Sequence, residues 1–193
     1  MGHAKALLEW DGATLIEHIV AIVAGVVDGP LIVMRTPGQD LPPLPGAVLV
    51  MDDQRHGQGP LAALATALAV AHPLATTALV CPVDMPFLSP TFLRSLHATL
   101  TAHDEMAVAT YRDRRLPLPA VLRCSLAARS AALVASGHRA LMELVAASHV
   151  AALEGQALHA ADPDGLCLRN LNTRGEYHDA LHTAERMGYT GSG

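Results

Sequence analysis

The stretch Thr77–Pro90 sets the tightest limit on how this chain can fold. Ala78 to Val83 is a short apolar, partly β-branched run, the pattern of a strand buried on both faces. Asp84 follows at once, where such a strand would leave the sheet, and Ser89-Pro90 then offers an N-cap with proline at the first helical position. In an open parallel sheet, ligands bind in the crevice beyond the carboxyl ends of the strands. A carboxylate at that place can hold a hard cation such as Mg²⁺, or it can simply cap a loop.

The rest of the chain supplies the alternation that such a sheet needs. Thr14-Leu15-Ile16-Glu17 is a capping box that starts an apolar helix running to about Val27. Leu31–Val33 and Val48–Val50 read as strands on either side of a loop rich in proline and glycine, the second ending in Met51-Asp52-Asp53. Gly59-Pro60 opens an alanine-rich helix reaching about Ala71, and another helix starts at Pro90. Met106–Tyr111 and Ala120–Leu122 read as strands separated by an exposed turn at Arg112–Arg115. Helices are expected over Ser125–Ser136 and Arg139–Ala147. A late strand is expected at Leu166–Leu168, and Thr173-Arg174-Gly175-Glu176 caps a terminal helix. With no repeat or low-complexity linker, 193 residues at 51% hydrophobic predict one α/β domain, a three-layer Rossmann-like fold with a mainly parallel sheet.

Charge and cysteine usage exclude several functions. A net charge of −5 argues against a nucleic-acid or anionic-membrane partner, and 3% aromatic residues leave few stacking platforms for single strands. Cys81, Cys124 and Cys167 form no C-x-x-C pair and read as reduced thiols of a cytoplasmic protein, not a disulfide framework. The longest apolar run, Ile19–Val27, is well short of the ~20 residues that span a bilayer. Among the 11 histidines, His178 and His182 share a face of the terminal helix but have no third ligand, so they read as a solvated face. His56 lies in a loop that could approach substrate. Arg112, Arg114 and Arg115 fit a polar turn better than a phosphate clamp.

Acidic residues at strand ends point to a nucleotide site. Asp52, Asp53 and Asp84 end strands, Asn170 and Asn172 flank the expected late strand, and all should reach one edge of a parallel sheet. Lys5 could complete a site for a metal-bound polyphosphate. Gly59-Pro60 enters a helix whose N–H groups favour anions or polar ligand edges. No nucleophile elbow or catalytic serine–histidine pair is evident.

The run Val83-Asp84-Met85-Pro86-Phe87-Leu88-Ser89-Pro90 lies between Gly59-Pro60-Leu61-Ala62 and Asn170-Leu171-Asn172-Thr173. Together these segments resemble the molybdenum cofactor guanylyltransferases, which join GMP from GTP to molybdopterin and release pyrophosphate. Met1-Gly2-His3-Ala4-Lys5-Ala6-Leu7-Leu8 is similar to the end of that family's phosphate loop, and Leu116-Pro117-Leu118 and Gly137-His138-Arg139-Ala140-Leu141 fall in the family's order. The resemblance implies that Lys5 and Gly2 contact phosphate, that Asp84 binds Mg²⁺, and that Asp52 or Asp53, with Gly59 and Pro60, contacts the guanine nucleotide. It places Asn170 and Asn172 beside nucleotide and pterin. GTP and molybdopterin are the implied substrates, and molybdenum cofactor biosynthesis and carrier proteins the implied partners.

The sequence departs from the family at its start, where only Met1-Gly2 matches the glycine-rich loop. The family's first strand is therefore expected to be missing, leaving a gap between the Leu31–Val33 and Ala78–Val83 strands. Rival readings are a cytidylyltransferase for the same pterin, disfavoured by Met85, a sugar-phosphate nucleotidyltransferase, and a non-catalytic nucleotide- or pterin-binding protein.

Overall fold

The computed structural model describes residues 5–53 and 57–188. A two-residue hairpin, β1 (Glu9–Trp10) and β2 (Ala13–Thr14), leads into helix α1 (Leu15–Ala24). The expected capping box is formed there: the Thr14 amide donates to Glu17 Oε2 at 2.8 Å and the Glu17 amide to Thr14 Oγ1 at 3.4 Å. Strands β3 (Leu31–Arg35) and β4 (Val48–Asp52) pair in parallel with Arg35 opposite Asp52. Helix α2 (Pro60–Ala71), strand β5 (Thr77–Val80) and helix α3 (Pro90–Thr99) follow. A hairpin of β6 (Met106–Tyr111) and β7 (Arg114–Arg123) is succeeded by α4 (Ala127–Ala135), α5 (Leu141–Ala146), β8 (Val150–Leu153), α6 (Gly155–Ala161) and α7 (Arg174–Met187).

The larger sheet has the order β5-β7-β6-β8. β6 and β8 are parallel, and β7 is antiparallel to both of its neighbours, so three of the four strands share one direction. β7 must run against them because the connection from β6 is only Arg112-Asp113, both at positive φ, a turn that fits antiparallel strands alone. Helices cover both faces, and side chains alternate between them as strand geometry requires. Ala107, Ala109 and Val121 point toward α1, α3 and α6. Met106, Val108, Ala120 and Leu122 point toward α2, α4 and α5. The three-layer α/β expectation holds.

Three local readings need correction. Leu166–Leu168 is a turn, not a strand, because the Asp162 carboxylate accepts from the Leu166 and Cys167 amides, each at 3.0 Å. The strand beside β6 is instead Val150–Leu153. Arg114 and Arg115 belong to β7, not to the turn, and β7 is ten residues long. Its register breaks between Ala120 and Leu116, where Pro117 and Pro119 cannot donate to the ladder.

β5 also differs from expectation. It stops at Val80 because Pro82 has no amide to continue the pairing, and it is half-buried, not enclosed on both faces. Among the described residues, β5 pairs only with β7 and β3 only with β4. Between them lies an apolar cleft of about 830 Å³, lined by Ile19, Val23, Val33, Leu64, Leu79 and Cys81 among others. Among the described residues, no strand pairs with both β3 and β5. Among the described residues, no helix is long and apolar enough to cross a membrane.

Candidate active site

Asp84 sits in a turn four residues beyond the end of β5, flanked by buried side chains that fix its position. Met85 and Leu88 enter the core between α1 and α3. Phe87 packs edge-on against the buried Trp10, with ring centres 5.1 Å apart. His18 of α1 donates from Nε2 to the Pro86 carbonyl at 2.8 Å, a role forced on the ring because a carbonyl only accepts. Burial holds the His18 imidazole below its usual 6.5, against the opposing pull of that hydrogen bond and of Asp11.

The Asp84 loop is tied to the segment before α7. The Leu171 amide donates to the Asp84 carbonyl at 2.8 Å, and Leu171 is fully buried in a small core with Trp10, Leu15, Phe87 and Ala180. Glu176 then caps α7, accepting from the Asn172 amide at 2.8 Å and the Thr173 amide at 2.7 Å. Those two amides, with Lys5 nearby, hold the Glu176 carboxyl below the usual carboxylate range. The Asn172 side chain is thereby delivered beside Asp84.

Lys5 joins the two. Its Nζ donates to Asp84 Oδ2 at 3.1 Å and to Asn172 Oδ1 at 3.0 Å. The structure therefore brings together three residues that the sequence singled out separately, 79 and 167 positions apart. The Lys5 and Asp84 side chains are 21% and 20% exposed, open enough to exchange partners with a ligand. Among the described residues, no three His, Cys, Asp or Glu side chains cluster as a standing metal site. One carboxylate beside an amide oxygen suits Mg²⁺, which commonly takes one or two carboxylates and completes its shell with water and substrate phosphates.

The remaining expected residues lie in other groups. Asp52, at the carboxyl end of β4, accepts from Arg35 Nε at 2.6 Å, a pairing set by their register but not read from the sequence. Asp53 follows, its amide bound to the Arg35 carbonyl at 2.7 Å. Asn170 is exposed on the loop that carries Leu171 and Asn172. Gly2 and His56 lie outside the described residues.

Gly59 and Pro60 form the tight turn into α2, with Gly59 at φ +89°. The helix mouth is not open to an anion as expected. Pro60 has no amide hydrogen, the Leu61 amide donates to the Arg139 carbonyl at 3.2 Å, and the Ala62 amide donates to the Gly59 carbonyl at 3.2 Å. Arg139 also donates from Nη1 to the Gly57 carbonyl at 3.2 Å. No local signal in the sequence connects Arg139 with Gly59.

A lysine, a carboxylate and an asparagine thus meet beyond the carboxyl end of β5 in a three-layer α/β fold, the place where such folds bind ligands. Solved structures agree on the fold. Molybdopterin-guanine dinucleotide biosynthesis protein A from Archaeoglobus fulgidus superimposes with a TM-score of 0.76, at 19% identity, over 95% of this chain and 91% of its own. A manganese complex of a protein from Mycobacterium tuberculosis H37Rv gives 0.67, at 22% identity, over 94% and 93%. Residues 1–153 match the MobA-like NTP transferase domain, and the chain belongs to that family. It is 38% identical over 181 residues to a probable molybdenum cofactor guanylyltransferase of Mycobacterium tuberculosis H37Rv, covering 92% of this chain and 85% of the relative.

Proposed function

We propose that this enzyme transfers GMP from GTP to molybdopterin, working in the cytoplasm with Mg²⁺. The observation that carries the reading is the meeting of Lys5, Asp84 and Asn172 at one point. The identity to curated guanylyltransferases over most of the chain supports the choice of nucleotide and acceptor. The free cysteines, two of them buried, fit a reducing compartment.

An oxygen of the terminal phosphate of molybdopterin forms a bond to the α-phosphorus of GTP. The bond from that phosphorus to the bridging oxygen breaks, and pyrophosphate leaves with the electron pair. The attacking phosphate is already ionised, so the protein need not supply a base. Its work is alignment and charge neutralisation. Asp84 would hold the cation with the Asn172 amide oxygen close by, and the cation when bound offsets charge on the phosphates. Lys5 would then turn from Asp84 to a phosphate oxygen, with Gly2 as a further phosphate contact. A part-exposed ion pair is worth about 1 kcal/mol or less, so this exchange is inexpensive.

Asp52 or Asp53 would accept from guanine N1–H and the 2-amino group, donors that cytosine does not present in that arrangement. The Gly59-Pro60 turn would lie against the base, and Asn170 and Asn172 beside nucleotide and pterin. Molybdenum cofactor biosynthesis and carrier proteins would supply the pterin and receive the product.

Calorimetric titration of Asp84→Ala with GTP, with and without Mg²⁺, tests the assignment. The variant should fold normally and lose the Mg²⁺-dependent part of GTP binding. An unchanged nucleotide affinity would remove Asp84 from the metal site.

A further inference from the structure

We infer that Glu143 is a positioning residue for the Gly57–Leu61 turn, acting through the backbone of Arg139. The inference rests on the reading above that this turn contacts the guanine base. Helix α5 begins after Ala140, whose methyl group cannot cap it, so Glu143 does this alone. Its Oε2 accepts from the Arg139 amide at 2.9 Å and the Ala140 amide at 3.1 Å, and its Oε1 lies 3.0 Å from His138 Nδ1. His138 first, then the Ala140 and Arg139 amides, hold this carboxyl below the usual carboxylate range, so it remains an acceptor at neutral pH.

One carboxylate therefore fixes three consecutive residues, and the middle one reaches across the chain to the turn. The Arg139 carbonyl accepts the Leu61 amide, its guanidinium binds the Gly57 carbonyl, and its backbone presses directly on Gly59. A Cβ placed on Gly59 would meet the Arg139 carbonyl oxygen at 2.7 Å and the Arg139 Cβ at 2.9 Å. The turn has little rigidity of its own. Gly57 and Gly59 both have positive φ, near +86° and +89°, and glycine is the residue with most conformational freedom to lose. Its shape is imposed from outside by Arg139, which Glu143 holds in place. The Lys5, Asp84 and Asn172 cluster hangs on other elements, so loosening this contact should weaken base binding without disturbing the phosphate end.

The test compares Glu143→Ala and Glu143→Gln by amide hydrogen exchange at Leu61 and by steady-state kinetics with GTP. Glutamine keeps an oxygen for both backbone amides and offers its NH₂ to His138 Nδ1, whereas alanine removes every contact. Glu143→Ala should lose protection at Leu61 and raise KM for GTP about tenfold, with kcat within about twofold. Glu143→Gln should restore both. Leu61 protection equal in wild type and Glu143→Ala would overturn the inference. So would lost protection with an unchanged KM, or KM and kcat changing together as a general loss of structure would cause. Failure of the wild-type protein to use GTP would instead refute the functional reading, and the exchange at Leu61 would still decide whether Glu143 holds the turn.

Discussion

Replacing Gly59 by alanine probes the tightest contact near the proposed base site. The residue has φ +89° and ψ 170°, a region that is essentially closed to side chains and costs about 1–3 kcal/mol to enter. The added Cβ would also sit 2.7 Å from a backbone oxygen of Arg139, which cannot rotate away as a side-chain tip could. Relieving that overlap means separating the two segments, which loses the hydrogen bond from Leu61 to Arg139, worth about 1 kcal/mol. The sum is about 2–4 kcal/mol. At about 2–4 °C per kcal/mol for a domain of this size, Tm should fall by about 4–16 °C. Gly165→Ala is the control: its φ is +67° but nothing lies within 4 Å, so only the backbone cost of ~1–2 kcal/mol applies. Differential scanning calorimetry of both variants makes the comparison. If Gly59→Ala lowers Tm no more than Gly165→Ala does, the close approach of Arg139 is not as described.

One further outcome is expected. Burial keeps the folded-state pKa of His18 below 6.5, so the unfolded chain binds more protons in the interval beneath that value. Stability from this residue is complete above about pH 6.5 and declines as pH falls toward the folded pKa. Urea midpoints of His18→Gln should decline less between pH 6.5 and 5 than those of wild type, and equal slopes would contradict this.

The sequence disclosed those parts of the fold whose causes are local. Thr14 with Glu17, Ser89 with Pro90, and Thr173 with Glu176 carry their helix starts in adjacent residues, and all three helices begin where expected. Strands fared worse where packing decided. Val150–Leu153 is a short apolar run with no turn signal to separate it from a helix end, and it becomes a strand because β6 has an open edge beside it. Leu166–Leu168 has the same apolar character but meets the Asp162 carboxylate, which takes the amides that a strand would have needed. Prolines at 117 and 119 hid the first half of β7, since a strand that tolerates them must bulge. In the site, Lys5, Asp84 and Asn172 were legible as candidates one by one, but only tertiary structure shows them in contact. The pairing of Arg35 with Asp52 and the contact of Arg139 with the Gly59 turn were not legible. Each follows from strand register or from a long-range approach, and neither leaves a mark in the neighbouring sequence.

The most direct test of the account is the identity of the product. The protein is incubated with molybdopterin, Mg²⁺ and α-phosphate-labelled GTP or CTP, and the labelled species are resolved by chromatography. Label should pass from GTP into a dinucleotide with one pyrophosphate released per transfer. CTP should serve at least about a hundredfold less well in kcat/KM, because cytosine lacks the N1–H and 2-amino donors that the proposed Asp52 or Asp53 contact would accept. Retention of all label in GTP, or equal transfer from the two nucleotides, would contradict the guanylyltransferase reading.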